Sequence, residues 1–397
     1  MKIPFGTMLV TEKAKKLVAE VMESGFLSSG KYVREFEEKF ADLIGTKDAV
    51  AVSSGTDADT LAMAVMYDYG AKRGDEVIVP SLSFVATGNA VLHAGFVPIF
   101  VDVEMHTLNI NPDRIEEAIN EKTRAIMPVH LMGKPADMDK IMAIAKKHKL
   151  FVIEDVAEAH GSIYKGKSTG TIGDMGAYSL YVAHMISTVE GGIITTNNQD
   201  YAEILRSLRS HGRCCNCSSC VMNKGANTCD KRFRDGNDMR FKFERVGYSS
   251  KMNELEAAVG LGNIEAWPKY LAARRKNLHY LLDNFKKYEP DLFTIYEEKH
   301  ETIGPHAFAI ILGKDAKFSR DKLVEYLKSK QIDSRNLFLS MPTQCPGFAF
   351  LGHKPGDFPV AEYMGRNGLH IGLHQDLTAD HLKYFIQVMD EFMVKNK

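Results

Sequence analysis

The chain has 397 residues, beyond the roughly 250–300 at which one hydrophobic core stops growing, so two domains are expected. Hydrophobic residues make up 45% and charged residues 25%, which excludes a disordered tail, a collagen-like chain and a disulfide-dense mini-scaffold. Fifty Lys and Arg against 51 Asp and Glu leave no global field for nucleic acid or anionic lipid, and neither partner is expected.

The opening MKIPFGTMLVTEKAKK lacks the apolar core and cleavage site of a secretory signal, and no apolar run approaches the ~20 residues that span a bilayer. A cytoplasmic protein is expected. Seven short β-branched runs then alternate with helix-like stretches: DAVAV ending at Val52, EVIVP at 76–80, VPIFVDV at 97–103, RAIMPV at 124–129, LFVIED at 150–155, AYSLY at 177–181 and GIITT at 192–196. Strands joined by helical crossovers make a mostly parallel sheet covered on both faces, an α/β domain over residues 1–255. Helices are predicted from Asp113 to Asn120, after Pro112, and from Met138 to Lys147. A long helical stretch from Glu254 through Phe285, interrupted only by Gly260, Gly262 and Pro268, connects to a smaller α+β unit over 256–397. That unit carries a strand at 306–312, a helix at 320–330 and a closing helix from Ala379 to Val394.

Chemistry collects at the strand ends. In SSGTDADTLAMAVM a strand gives way at once to a helix, where Gly55 permits close approach and free N–H groups favour a phosphate; a plain capped helix is the alternative. Phe84 follows a strand on the sheet edge where ligands sit in open α/β folds, although a lone Phe there also suits a core. LFVIED ends in Glu154 and Asp155; such an acid caps a turn or, facing a pyridine nitrogen, keeps that ring protonated as an electron sink. Ser179 and His184 follow, the latter 29 positions after Asp155. Five of the six cysteines (Cys214, Cys215, Cys217, Cys220 and Cys229) fall within 16 residues, which in a reducing compartment points to metal or redox chemistry. Zinc, an iron–sulfur cluster and free thiols all suit that spacing.

In this order the segments resemble the DegT/StrS-type sugar aminotransferase branch of the fold type I pyridoxal phosphate enzymes. The resemblance runs from SGFLSSGKYVREFEEKFADLIGTKDAVAVSSGTDA through HLMGKPADMD and VIEDVAEAHGS to GYSSKMNELEAAVGLGNIE. It implies that Gly55, Thr56 and Ser179 hold the cofactor phosphate, Phe84 stacks on the ring and Asp155 pairs with its nitrogen. Glu158 stands in the place of a glutamine, and Ser249 in that of an asparagine that reaches the phosphate from a neighbouring subunit; both are assigned to the cofactor site. A homodimer is expected.

His184 occupies the place of the family lysine, and no lysine lies between Lys167 and Lys224. Imidazole moves protons near neutral pH but makes no stable imine, so the cofactor should stay noncovalent, as pyridoxamine phosphate. The exchange resembles the 3-dehydratases of nucleotide-linked 4-keto-6-deoxyhexoses, with His184 as base, and Arg335 is a candidate sugar-nucleotide contact. The cysteine segment, within a loop over 211–245, resembles the insertion of the iron–sulfur 3-dehydratase. Ala157 replaces a distant cysteine ligand of that enzyme, so the expected ligands are Cys215, Cys217, Cys220 and Cys229, with Cys214 as alternate. From Arg213 through Arg245, eight Lys or Arg face four Asp or Glu, an excess suited to docking an acidic flavin–iron–sulfur reductase. Alternatives are a glutamate-coupled hydrolytic 3-dehydratase and a non-catalytic relative with a structural zinc site.

Overall fold

A computed structural model describes all residues except 8–9, 216, 218–220, 222–227, 235 and 397. Two amphipathic helices open the chain, α1 (Glu12–Ser24) and α2 (Lys31–Ile44). The sheet and its crossovers follow: β1 (Asp48–Val52), α3 (Gly55–Ala64), β2 (Glu76–Pro80), α4 (Val85–Ala94), β3 (Val97–Val101), α5 (Pro112–Ala118), β4 (Thr123–Ile126), α6 (Met138–His148) and β5 (Phe151–Asp155). β6 (Met175–Ser179), β7 (Gly192–Thr196) and α7 (Gln199–Leu208) complete it.

The seven strands run in the order β1-β7-β6-β5-β4-β2-β3. β2, β3, β4, β5 and β6 are joined by parallel pairings, whereas β7 lies antiparallel to β1 and β6. The strands are apolar on both faces because helices cover both: Val77, Val79, Ala125 and Ile153 pack with α3 and α4, while Ile78, Ile126 and Val152 pack with Met138 and Ile141 of α6. The pleat, with its period of two, sorts the two sets.

The connector helix α8 spans Glu254–Phe285 without a break, and Pro268 sits inside it. A capping box starts it, Asn253 accepting from the Glu256 amide at 3.0 Å and Glu256 accepting from the Asn253 amide at 3.0 Å. Gly260 is a packing point: a Cβ there would lie 2.6 Å from the Phe36 ring of α2.

Beyond α8, β8 (Leu292–Phe293), β9 (Ala307–Leu312), β10 (Ser334–Asn336) and β11 (Gly368–Gly372) form an antiparallel sheet in the order β8-β9-β11-β10. α9 (Arg320–Ser329), α10 (Pro359–Asn367) and α11 (Ala379–Lys395) complete this unit. Its core joins Phe308, Ile310, Leu369 and Phe385 with Phe285 of α8, and also takes in Ile3 from the start of the chain. Among the described residues, no helix is long and apolar enough to cross a membrane.

Candidate active site

β1 ends at Val52 and the chain turns directly into α3. Ser54 caps that helix, accepting from the Asp57 amide at 3.0 Å. Gly55 lies against β6, where a Cβ would stand 2.6 Å from the Ser179 Cβ and 2.9 Å from its Oγ. The missing side chain leaves the first-turn N–H groups beside a hydroxyl, a cradle for an anion at a helix N-terminus.

At the end of β5 two neighbouring carboxyls face opposite ways. Glu154 is fully buried and accepts from the amides of Gly170, Ile172 and Gly173 at 2.8, 2.8 and 2.7 Å, with His130 Nε2 at 3.0 Å. It pins a turn. Asp155 faces the cavity, accepting from Thr87 Oγ1 at 2.9 Å and the Ala157 amide at 3.1 Å. Burial pushes its carboxyl above the usual range. A positively charged ring N–H is the partner that would favour its ionised form.

These groups line a cavity of about 470 Å³ with Thr56, Phe84, Glu158, Ser179 and His184. Phe84 is 58% exposed, and its ring is tilted against Phe338 at 5.7 Å. The Glu158 carboxyl accepts from the Met132 amide at 2.8 Å and stands 3.6 Å from His306 Nε2; burial, with Asp155 adding to it, raises it to about 8. His184 sits in the segment joining β6 to β7, its ring centroid 5.2 Å from His306 and 5.8 Å from His160. Its Nδ1 is buried without a partner, and burial, reinforced by Arg274, lowers the imidazole to about 4. It is therefore neutral, a free base, at pH 7. Among the described residues, no lysine lines the cavity.

The geometry fits pyridoxamine phosphate: an anion cradle, a buried acid facing the cavity and an imidazole nitrogen that has no partner among the described residues converge on one space. Ser249 is exposed, bridges Ser210 and does not line this cavity. Asp59, Phe338 and His306, which the sequence did not point to, also line it, as does His370. Asp59 had a signal, since it follows Gly55 by four positions on the same helix face. Phe338 and His306 arrive from the C-terminal unit and had none.

Cys214, Cys215, Cys217 and Cys229 form no disulfide among the described residues, and Cys220 lies outside them. Burial and a hydrogen bond with Glu244 push the Cys214 thiol up, against the thiolate a metal needs. Among the described residues, no group of three or more His, Cys, Asp or Glu is placed to hold a metal ion.

Fold and site together define a fold type I pyridoxal phosphate-dependent enzyme. The chain belongs to the DegT/DnrJ/EryC1/StrS aminotransferase family, whose pattern matches residues 9–390. It is 35% identical to the dTDP-4-dehydro-2,6-dideoxy-D-glucose 3-dehydratase of Saccharopolyspora spinosa, over 99% of this chain and 87% of that one. It is 36% identical to the GDP-perosamine synthase of Caulobacter vibrioides (95% and 94%) and 33% identical to the GDP-4-keto-6-deoxy-D-mannose 3-dehydratase of Escherichia coli O55:H7 (94% and 96%). Among solved structures, a mutant GDP-4-keto-6-deoxymannose-3-dehydratase with bound GDP-perosamine superposes with a TM-score of 0.87 at 31% identity, covering 98% of this chain and all of that one.

Proposed function

We propose that this chain is a pyridoxamine phosphate-dependent 3-dehydratase of a nucleotide-linked 4-keto-6-deoxyhexose. The observation that carries the reading is a neutral imidazole, His184, at the wall of a cavity that no lysine lines among the described residues. Bound pyridoxamine phosphate supplies an amine for the C4 ketone and a ring that accepts the electrons of a broken C–H bond. Gly55, Thr56 and Ser179 hold its phosphate, Phe84 covers the ring and Asp155 keeps a proton at the ring nitrogen. His184 takes a proton from the cofactor methylene at an imidazole nitrogen. The same imidazole would be placed to return that proton to the departing C3 hydroxyl oxygen, so that it leaves as water.

The perosamine synthases are as similar as the dehydratases, so product analysis decides. The loaded protein, given GDP- and dTDP-linked 4-keto-6-deoxyhexoses, is expected to release a 3-deoxy sugar. An amino sugar from the unaltered protein would overturn the reading. His184→Asn should keep the cofactor and lose dehydration, whereas His184→Lys should gain transamination.

The cysteine loop favours a second reading of product release, in which a cluster on Cys215, Cys217, Cys220 and Cys229 relays electrons from a flavin–iron–sulfur reductase. Iron and labile sulfide in anaerobically purified protein, with reductase-dependent turnover, would establish it. Stoichiometric zinc, or deoxygenation sustained by glutamate alone, would exclude it.

A further inference from the structure

Asp59 stands in α3 one turn beyond Gly55, is 4% exposed and lines the same cavity as Asp155. Its Oδ1 is fully enclosed and meets no hydrogen-bond donor among the described residues. The helix packs on β5 and β6, so this orphaned carboxyl comes toward the end of β5. Arg335, the arginine of the cavity wall, is engaged elsewhere, 3.9 Å over the Phe5 ring. The charge that acts on Asp59 is that of Asp155.

The fold gives these two acids unequal partners. Asp155 accepts from Thr87 Oγ1 at 2.9 Å and from the Ala157 amide at 3.1 Å, and Thr87 Oγ1 is itself 2.9 Å from Ser83 Oγ. Donors of this kind favour a carboxylate, whereas Asp59 has burial alone, which with Asp155 pushes its carboxyl well above the usual range. Like charges in one buried space do not both persist, so a proton stays on the pair and falls to the acid without donors. A protonated carboxyl needs an acceptor, and a carboxylate offers about four acceptor sites, more than the Thr87 and Ala157 bonds fill. We propose that Asp59 is a positioning residue for the ring-nitrogen acid: neutral, it donates its O–H to the Asp155 carboxylate, so that the pair shows the cofactor ring one negative charge. No bond to the cofactor is asked of Asp59; it acts through Asp155, holding that carboxylate ionised and in orientation. The proposal rests on the pyridoxamine phosphate reading for the ring that Asp155 faces.

The test is absorbance titration with pyridoxamine phosphate of wild type, Asp59→Asn and Asp59→Leu, repeated on an Asp155→Ala background. Asn keeps a donor and is expected to bind within about threefold of wild type, whereas Leu should bind roughly tenfold or more weakly. On the Asp155→Ala background the Leu loss should vanish, a coupling that a merely structural role would not produce. The infrared difference between wild type and Asp59→Asn at pH 7 should show the carbonyl stretch of one neutral carboxylic acid. A harmless Leu, an Asn as weak as Leu, a Leu loss undiminished without Asp155, or absence of the neutral-acid band overturns the proposal. Should Asp59→Leu fail to fold, the infrared comparison on Asp59→Asn decides. Wild type that takes up no cofactor would count against the cofactor reading, and the infrared comparison on cofactor-free protein would still decide this one.

Discussion

At the scale of single residues, the cavity holds ionisable groups whose burial opposes their charge. The Glu158 carboxyl, raised to about 8 from an ordinary 4.5, favours the folded state while protonated. That contribution is complete below about pH 4.5 and is lost as the pH rises through 8. In urea unfolding of cofactor-free protein, Glu158→Gln should therefore gain on wild type between pH 5 and 9, by on the order of a few kcal/mol. His184 has the opposite sign. Its folded value, lowered to about 4 from 6.5, gives stability that is present above pH 6.5 and lost as the pH falls through 4. His184→Asn should flatten the acid limb of the same curve. Gly55→Ala tests the cradle directly: its methyl would stand 2.6 Å from the Ser179 Cβ, so cofactor affinity read by absorbance should fall tenfold or more. Overpacking should cost about 1–3 kcal/mol in stability.

At the scale of elements, one carboxylate ties two helices together. Glu254, at the first position of α8, is 3% exposed and accepts from the amides of Gly30, Tyr32 and Val33, each at 2.9 Å, at the start of α2. It supplies the cap that Gly30 lacks. Glu254→Ala should leave those donors buried and unsatisfied and lower the unfolding free energy by about 2–4 kcal/mol, measured in urea. The seven sheet strands were legible in the sequence because apolar β-branched runs between amphipathic helices have few other solutions. The reversed direction of β7 was not noticed, yet the connection from Ser179 to Gly192 is too short and irregular for a helical crossover. β11 was missed as a strand because glycine brackets it and His370 breaks its apolar run, although it is central in its sheet. Gly55, Asp155, Ser179 and His184 carried local signals at strand ends. Arg274 and His306 had none, since tertiary closure alone brings them near His184.

At the scale of the whole molecule, the mouth of the cavity keeps apolar groups in solvent: Phe84 at 58% and Tyr181 at 46% exposed. Such groups around a charged site are suited to cover by a second copy of the chain. Sedimentation is expected to show a homodimer, and dilution into monomer should weaken cofactor uptake in parallel. A monomer that takes up cofactor as tightly as concentrated protein would refute this.

Ile3 bridges Ile332 and sits in the C-terminal core, while a Cβ on Gly372 would meet the Phe5 carbonyl oxygen at 1.6 Å. Residues 3–5 thus find their neighbours more than three hundred positions further along the chain. Phe5 lines the cavity and lies beneath Arg335, so one wall of the chamber depends on a closure between positions far apart in the chain. A chain cut before Ile332 would keep Gly55, Asp155, Ser179 and His184 but lose the partners that hold Ile3 and Phe5 in place, leaving the cofactor ligands without this wall.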